Sequence, residues 1–348
     1  MKKGFALVMA SMMALSLTAC GGNGSSATTA ADTSAADTKA EGTTAAAPAD
    51  KTGLTGSGKE LIFTTGGDQG TYYGFGSVLA GQISDMTDTT VTAIVGKGSK
   101  GNIEAMDAGD AQLGFVQSDV MAYAYNGTNL FDGAKVDGFS TVAALYMEQV
   151  QIVTLNPDIK TVADLKGKTV SVGDSGSGVY FNALDCLGAY GLTIDDITPT
   201  YQSFGDSVEA MQDGKIDAAF IVAGAPTTAV TSLAATRKVY LVELDDEHID
   251  KLIEASPYYS KYTIAKDAYG LDADATTVAV GAVVVARDDV DENDIYNVVA
   301  GIYDSIDTLG HDKKNELDLD FAASVTAVPY HKGAAKYFAE KGLTVPTK

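Results

Sequence analysis

From residue 60 onward, short β-rich apolar runs alternate with stretches of helical spacing, and few folds accommodate that order. The runs are LIFTT, VTAIV, QLGFV, TVAALY, QIVTL, TVSVG, ITPTY, DAAFIV, VYLVEL and VAVGAVVVA. Between them apolar residues recur every three or four positions, as in 72–83, 179–189, 207–213 and 295–309. Such alternation predicts an α/β fold with largely parallel sheets. The series runs twice, the second time from QIVTLNPDIKTVADLKGKTVSVGDSGSG. After VAVGAVVVAR the pattern is helical to the end. This order fits two lobes joined by crossing strands near 145–150 and 280–285, with the C-terminus returning to the first lobe. The expected limits are 60–147 plus 284–348 for lobe I and 148–283 for lobe II.

The preceding residues read differently. MKKGFALVMASMMALSLTAC has two lysines, an apolar run too short to span a bilayer, and then small residues. Residues 1–19 are expected to be a secretory signal. Leu17-Thr18-Ala19-Cys20 resembles a bacterial lipobox, which would make Cys20 the acylated first residue of an exported chain held at the outer face of the cytoplasmic membrane. Residues 20–59 are Ala, Thr, Gly, Ser and Asp with almost no large apolar side chains, and read as a disordered tether. The formal charge of −22 becomes −24 once Lys2 and Lys3 leave with the signal. So acidic a surface argues against nucleic acid and anionic lipid as partners, and any anion site must be built locally. Cys186 is the second of two cysteines and lies in an apolar helical stretch, so no disulfide is expected.

Motifs of covalent chemistry fail on inspection. The loop in LIFTTGGDQGTYYGFG lacks the lysine that a phosphate cradle needs after its last glycine. GKGSKG at 96–101 fits a dinucleotide pattern but does not follow the first strand of its unit. GDSGSG at 173–178 imitates a protease nucleophile region, yet His248, His311 and His331 all follow it, opposite to that chain order. The histidines have no metal-ligand spacing. No catalytic residue, metal or cofactor is expected, and an exported hydrolase is the rival of another class.

What recurs instead is a loop ending on a helix start: 66–71, 96–99, 117–119, 173–178 and 224–227, the last with Pro226 at a plausible first-turn position. Free N–H groups and the positive end of the helix dipole gather at such starts. They lie after strands, where α/β folds bind ligands. A small anion could therefore be held by backbone donors of both lobes. Arg237 and Arg287 are the two arginines; one sits in an expected turn and the other beside Asp288 and Asp289, so a guanidinium clamp is not expected.

GGDQGTYYGFGSVLA, GDAQLGFVQSDVMAYA, DLKGKTVSVGDSGSGVYFNALDCL and GKIDAAFIVAGAPTTAVTSLAAT, in that order, resemble solute receptors of TRAP transporters of the TAXI type over about 60–340. The resemblance implies a two-lobe periplasmic-binding-protein fold, type II-like, with two hinge-crossing strands. It implies a non-enzyme that captures a small organic acid, glutamate-like or a dicarboxylate, for an ion-gradient-driven TRAP membrane permease. A receptor of the same fold serving an ATP-driven importer or a sensor is the alternative. By position it places the site at Gly67, Thr71, Tyr72, Gln117, Ser118, Ser175, Ser177, Gly178, Gly224, Pro226 and Thr227. Asp68 departs from the family's usual small or neutral residue and bears on how close an anion comes to that loop.

Overall fold

The computed structural model describes residues 51–348; the signal, Cys20 and the tether up to residue 50 lie outside the described residues. The strands β1 (Glu60–Thr64), β2 (Thr90–Ile94) and β3 (Leu113–Gln117) alternate with α1 (Thr71–Met86), α2 (Ser99–Ala108) and α3 (Ser118–Asn126). A long strand, β4 (Phe139–Thr154), follows. The second series is β5 (Thr169–Ser171), α4 (Val179–Ala189), β6 (Thr198–Thr200), α5 (Phe204–Gln212), β7 (Ala218–Ala223), α6 (Thr228–Ala234), β8 (Tyr240–Val242), α7 (Asp246–Ala255) and β9 (Ser260–Ile264). A second long strand, β10 (Ala275–Arg287), leads to α8 (Glu292–Tyr303), α9 (Leu319–Ala322) and α10 (Lys332–Glu340).

The strands form one sheet path in the order β2-β1-β3-β10-β4-β7-β5-β6, with β8 beside β4 and β9 beside β10. Pairing is parallel inside each series, β2-β1-β3 and β7-β5-β6. It is antiparallel wherever β4 or β10 takes part, so the sheet is mixed rather than largely parallel. TVAALY and QIVTL, which read as two strands, are the two halves of β4. β4 and β10 pair from Phe139–Arg287 to Gln149–Ala279, with register shifts at Ala282/Val283 and Val284/Val285. Beyond that stretch β10 pairs with β9 and β4 with β7 and β8. Both strands thus run from one lobe into the other.

Helix α1 shows how the sequence makes an element. Tyr72, Phe75, Leu79 and Ile83 repeat at helical spacing and are all buried. Burying each such side chain fully is worth about 1.5–3 kcal/mol. Tyr72 stacks on Phe115 with ring centroids 4.6 Å apart, which fixes α1 over β3. The helix ends where Thr87 turns extended. One core joins α1, α8 and α10 to β1, β3 and the first half of β4. Another joins α4 and α7 to the second half of β4, β7 and the start of β10, and holds Cys186 fully buried.

Residues 51–59, expected as the end of a disordered tether, are ordered on the domain. Asn297 accepts from the Leu54 N–H at 2.6 Å and donates to the Leu54 carbonyl at 2.7 Å; Asp294 accepts from the Ser57 N–H at 3.1 Å. Composition describes what a segment cannot bury; it carries no trace of two buried side chains 240 residues away that satisfy its backbone.

Helices α8 and α10 touch at Gly333, where an added Cβ would lie 2.1 Å from the Glu292 carbonyl oxygen. Gly333→Ala is expected to destabilise the protein by about 1–3 kcal/mol. Gly81, inside α1 with nothing within 4 Å of its Cβ position, is the counterpart. Gly81→Ala is expected to stabilise it by about 0.5–1 kcal/mol. Urea unfolding of both variants checks the pair.

Candidate functional site

A cavity lies where the two series of loops meet, with about 620 Å³ between its atoms, mouth included. Four helix starts line it: Gly70–Tyr72 at α1, Gly98–Ser99 at α2, Gly178–Val179 at α4 and Phe204–Gly205 at α5. Gln117, which caps α3, adds a fifth element. Each helix follows a strand end, so the first-turn N–H groups converge from both lobes. Gly98 takes φ of +81°, open to glycine, and turns the chain against Ser177. Gly178 is a close approach: an added Cβ would meet Gln117 Oε1 at 1.7 Å.

Six expected residues line the cavity: Gly67, Thr71, Tyr72, Gln117, Ser177 and Gly178. The Thr71 hydroxyl donates to the Gly224 carbonyl at 2.9 Å. Tyr72 donates to Glu148 Oε2 at 2.7 Å. Ser177 Oγ and Gln117 Oε1 are buried without a partner among the described residues.

The other five are placed elsewhere. Ser118 Oγ accepts from the Gly281 N–H at 3.0 Å and supports β10. Ser175 is exposed in a neighbouring groove with Lys100, Tyr180 and Tyr201. Gly224 and Pro226 form the turn behind the cavity floor, where Val222 and Ala223 take their place. Pro226 precedes the α6 cap, Thr227, in a cis peptide and is not in the first turn. Thr227 is a structural cap: its N–H donates to Tyr269 at 2.7 Å, and its hydroxyl accepts from Gln151 Nε2 at 2.9 Å and donates to the Gly224 carbonyl at 3.0 Å.

The residues that sequence reasoning passed over are Glu148, Ser203 and Phe204. Glu148 is 2 % exposed, and burial pushes its carboxyl from the ordinary 4.5 up to about 8. Its signal was the polar break Met147-Glu148-Gln149 between two apolar runs. Phe204 packs against Gly70 across the cavity, and Ser203 caps α5. Neither arginine lines the cavity. Arg287 pairs with Asp289 at 2.8 Å and donates to the Met106 carbonyl, and Arg237 is exposed.

A buried polar network ties the lobes together behind the cavity. Gln117 Nε2 donates to Asn182 Oδ1 at 3.0 Å, and Asn182 Nδ2 donates to Asp119 at 3.1 Å and to Tyr259 at 2.8 Å. Backbone bonds cross as well: Gly101 N–H to the Gly176 carbonyl at 2.9 Å and Ala229 N–H to the Gln69 carbonyl at 3.2 Å. The structure therefore has its lobes closed on each other.

Two buried carboxyls make stability depend on pH. Burial raises Glu148 to about 8 and Asp119 to about 7. Between the ordinary carboxylate range and those values the folded protein keeps protons that the unfolded chain has released. Stability of the ligand-free protein is therefore expected to fall as pH rises from about 5 to 8. Glu148→Gln removes one of the two groups and should flatten that fall. Unfolding free energies at pH 5, 6.5 and 8 check the slope.

A curated protein of Escherichia coli (strain K12), named for aliphatic sulfonate binding, is 43% identical over 70 residues, 20% of this chain. The chain matches 22% of that relative's length. A solved structure described as a periplasmic transporter superposes with a TM-score of 0.50 at 15% identity, over 82% of this chain and 93% of that one. The alkanesulfonate-binding protein SsuA from Xanthomonas axonopodis pv. citri, solved with MOPS, gives 0.47 at 17% identity, over 80% and 83%. The fold is that of two-lobe periplasmic binding proteins, with β4 and β10 as the crossing strands. The model of the NMT1-like family matches residues 63–342, and this chain belongs to that family.

Proposed function

We propose that this chain captures a small organic acid between its two lobes outside the cytoplasm and delivers it to a membrane permease. The observation that carries this reading is the interlobe cavity itself: four helix starts converge on it, and Ser177 Oγ and Gln117 Oε1 are buried there unpaired. Buried polar atoms without partners are costly, about 1–3 kcal/mol each, unless a ligand supplies the missing bond. The acid group lies against the α1 and α4 starts and the Ser177 hydroxyl, without a guanidinium. The lobes are taken as 60–147 with 284–348 and 148–283, hinged where β4 and β10 change partners.

The match to the NMT1-like family does not by itself carry the TAXI type of the motif resemblance, and with a partial relative named for sulfonate binding we put an ATP-driven importer first as the partner. An ion-gradient TRAP permease is the second reading, supported by the ordered motifs over 60–340. An adjoining reading frame for an ATPase, or for a carrier of many membrane helices, separates the two. The lipobox-like Leu17-Thr18-Ala19-Cys20 supports a lipid anchor. Cys20→Ser is then expected to move the protein from the membrane fraction to the soluble one; an unchanged membrane share would remove the anchor.

Binding is expected to raise the melting temperature of ligand-stripped protein in a panel of organic acids and sulfonates. With the hit in hand, Ser177→Ala and Gln117→Ala should each weaken binding roughly ten- to a hundredfold, the value of one hydrogen bond to a charged group. Arg237→Ala and Arg287→Ala should leave affinity near wild type. A large loss at either arginine, with the other two variants unaffected, would return the acid group to a guanidinium and displace this site.

A further inference from the structure

The charges around the cavity point to more than an acid. Its titratable lining consists of Asp68, Glu148, Asp174, Lys97 and Tyr72. Three carboxyls thus face one lysine, and Lys97, Asp68 and Asp174 are exposed towards the mouth. Of the three carboxyls Glu148 alone is buried. Tyr72 donates to its Oε2, and the Gln117 amide is a further side-chain partner that favours the carboxylate. The nearby cation Lys313 is already engaged: its Nζ pairs with Glu316, donates to the Ala225 carbonyl at 3.0 Å and lies 5.3 Å from the Tyr146 ring centre. Beside Glu148, Gln117 adds a second acceptor, the unpartnered Oε1. The cavity therefore offers two kinds of partner. Helix starts and the Ser177 hydroxyl donate; Glu148 and Gln117 accept.

A dianion fits this poorly. It would bring two further negative charges into a cavity with a surplus of carboxyls, in a chain of formal charge −22. Burial holds the Glu148 carboxyl protonated in the ligand-free protein, and a charge-assisted bond from an ammonium favours its ionised form, the proton leaving to solvent. We propose, resting on the binding reading above, that Glu148 receives a protonated amine of the ligand. The solute is then a small zwitterion, an amino acid or an aminosulfonate, and not a dicarboxylate. Its acid group sits at the α1 and α4 starts and its ammonium between Glu148 and Gln117.

Pairs of probes differing by the amine alone test this on ligand-stripped full-length protein: L-glutamate with glutarate, L-alanine with propionate, taurine with ethanesulfonate. Calorimetric titration should find one amine member bound at least tenfold more tightly than its deaminated partner. Glu148→Gln should lose at least tenfold in affinity for that amine. Glu148→Asp, which keeps the charge on a shorter arm, should retain the preference with weaker binding. Deaminated acids that bind as well as or better than their amines would overturn the inference and leave the organic-acid reading standing. An unchanged preference in Glu148→Gln would overturn the role of this side chain. If none of the six probes binds, the organic-acid reading of the cavity falls, and this inference with it. Should Glu148→Gln fail to fold, the wild-type pairs still decide.

Discussion

The antiparallel pairing of β4 with β10 is the constraint on which the rest of this structure depends. Apart from Met147 and the end residue Arg287, every residue of both strands in the paired stretch is buried, so the two are held by core on each face as well as by the ladder. Each strand pairs with neighbours of both series within the one sheet. β10 pairs with β3 at 282–286 and with β9 at 275–279; β4 changes to β7 and β8 from residue 149. The two register shifts flank Val283 and Val284, within the stretch where β10 also pairs with β3 and a few residues from the change of partners at Ala279 and Gln149. Such irregularities bend strands locally.

The polar side chains of β4 are concentrated at the same place. Gln149 Oε1 accepts from the Ala225 N–H at 2.6 Å, and Gln151 Nε2 donates to the Ala223 carbonyl at 3.0 Å. These bonds pin the 223–227 turn whose edge forms the cavity floor. Glu148 directly precedes Gln149 and points the other way, as strand alternation requires, towards Tyr72 on α1. One strand segment therefore positions the turn from one lobe with its odd residues and the buried carboxyl of the cavity with its even one.

Much of this was legible in the sequence, and the remainder has a physical reason for being hidden. The doubled strand–helix series, the span 179–189 of α4 and the glycine loops at helix starts are local properties, and periodicity carries them. Pairing direction is not local: TVAALY and QIVTL look like two parallel strands because nothing nearby says that the chain runs straight through into a second lobe. Of the 224–227 loop, sequence pattern saw a fifth helix start in the site. The structure gives that place to Ser203–Gly205, because Gln151 and Tyr269 hold Thr227 behind the floor. Glu148 was visible only as a polar break in an apolar run, which marks a discontinuity without stating its use.

Closure and binding are coupled through the same buried groups. Asn182 on α4 bridges Gln117 and Asp119 on the facing lobe, and these bonds exist only when the lobes meet. The meeting also buries Ser177 Oγ, Gln117 Oε1 and the carboxyl of Glu148, removing them from water without giving each a partner. Closing an unliganded cleft therefore gains the Asn182 network and loses hydration at the cavity, and the two terms oppose each other. A solute that supplies a donor to the acceptors and an acceptor to the Ser177 hydroxyl removes the unfavourable term while leaving the favourable one. By that difference it shifts the population towards the closed state, and its differential affinity sets the limit of the shift. Asn182, which does not line the cavity, consequently belongs to the same balance as the residues that do: Asn182→Ala should weaken ligand binding by loosening closure. Scattering would then report a larger radius for the liganded variant than for the liganded wild type. Tight binding by Asn182→Ala with a fully compact radius would separate the network from closure and leave the cavity groups alone to drive it.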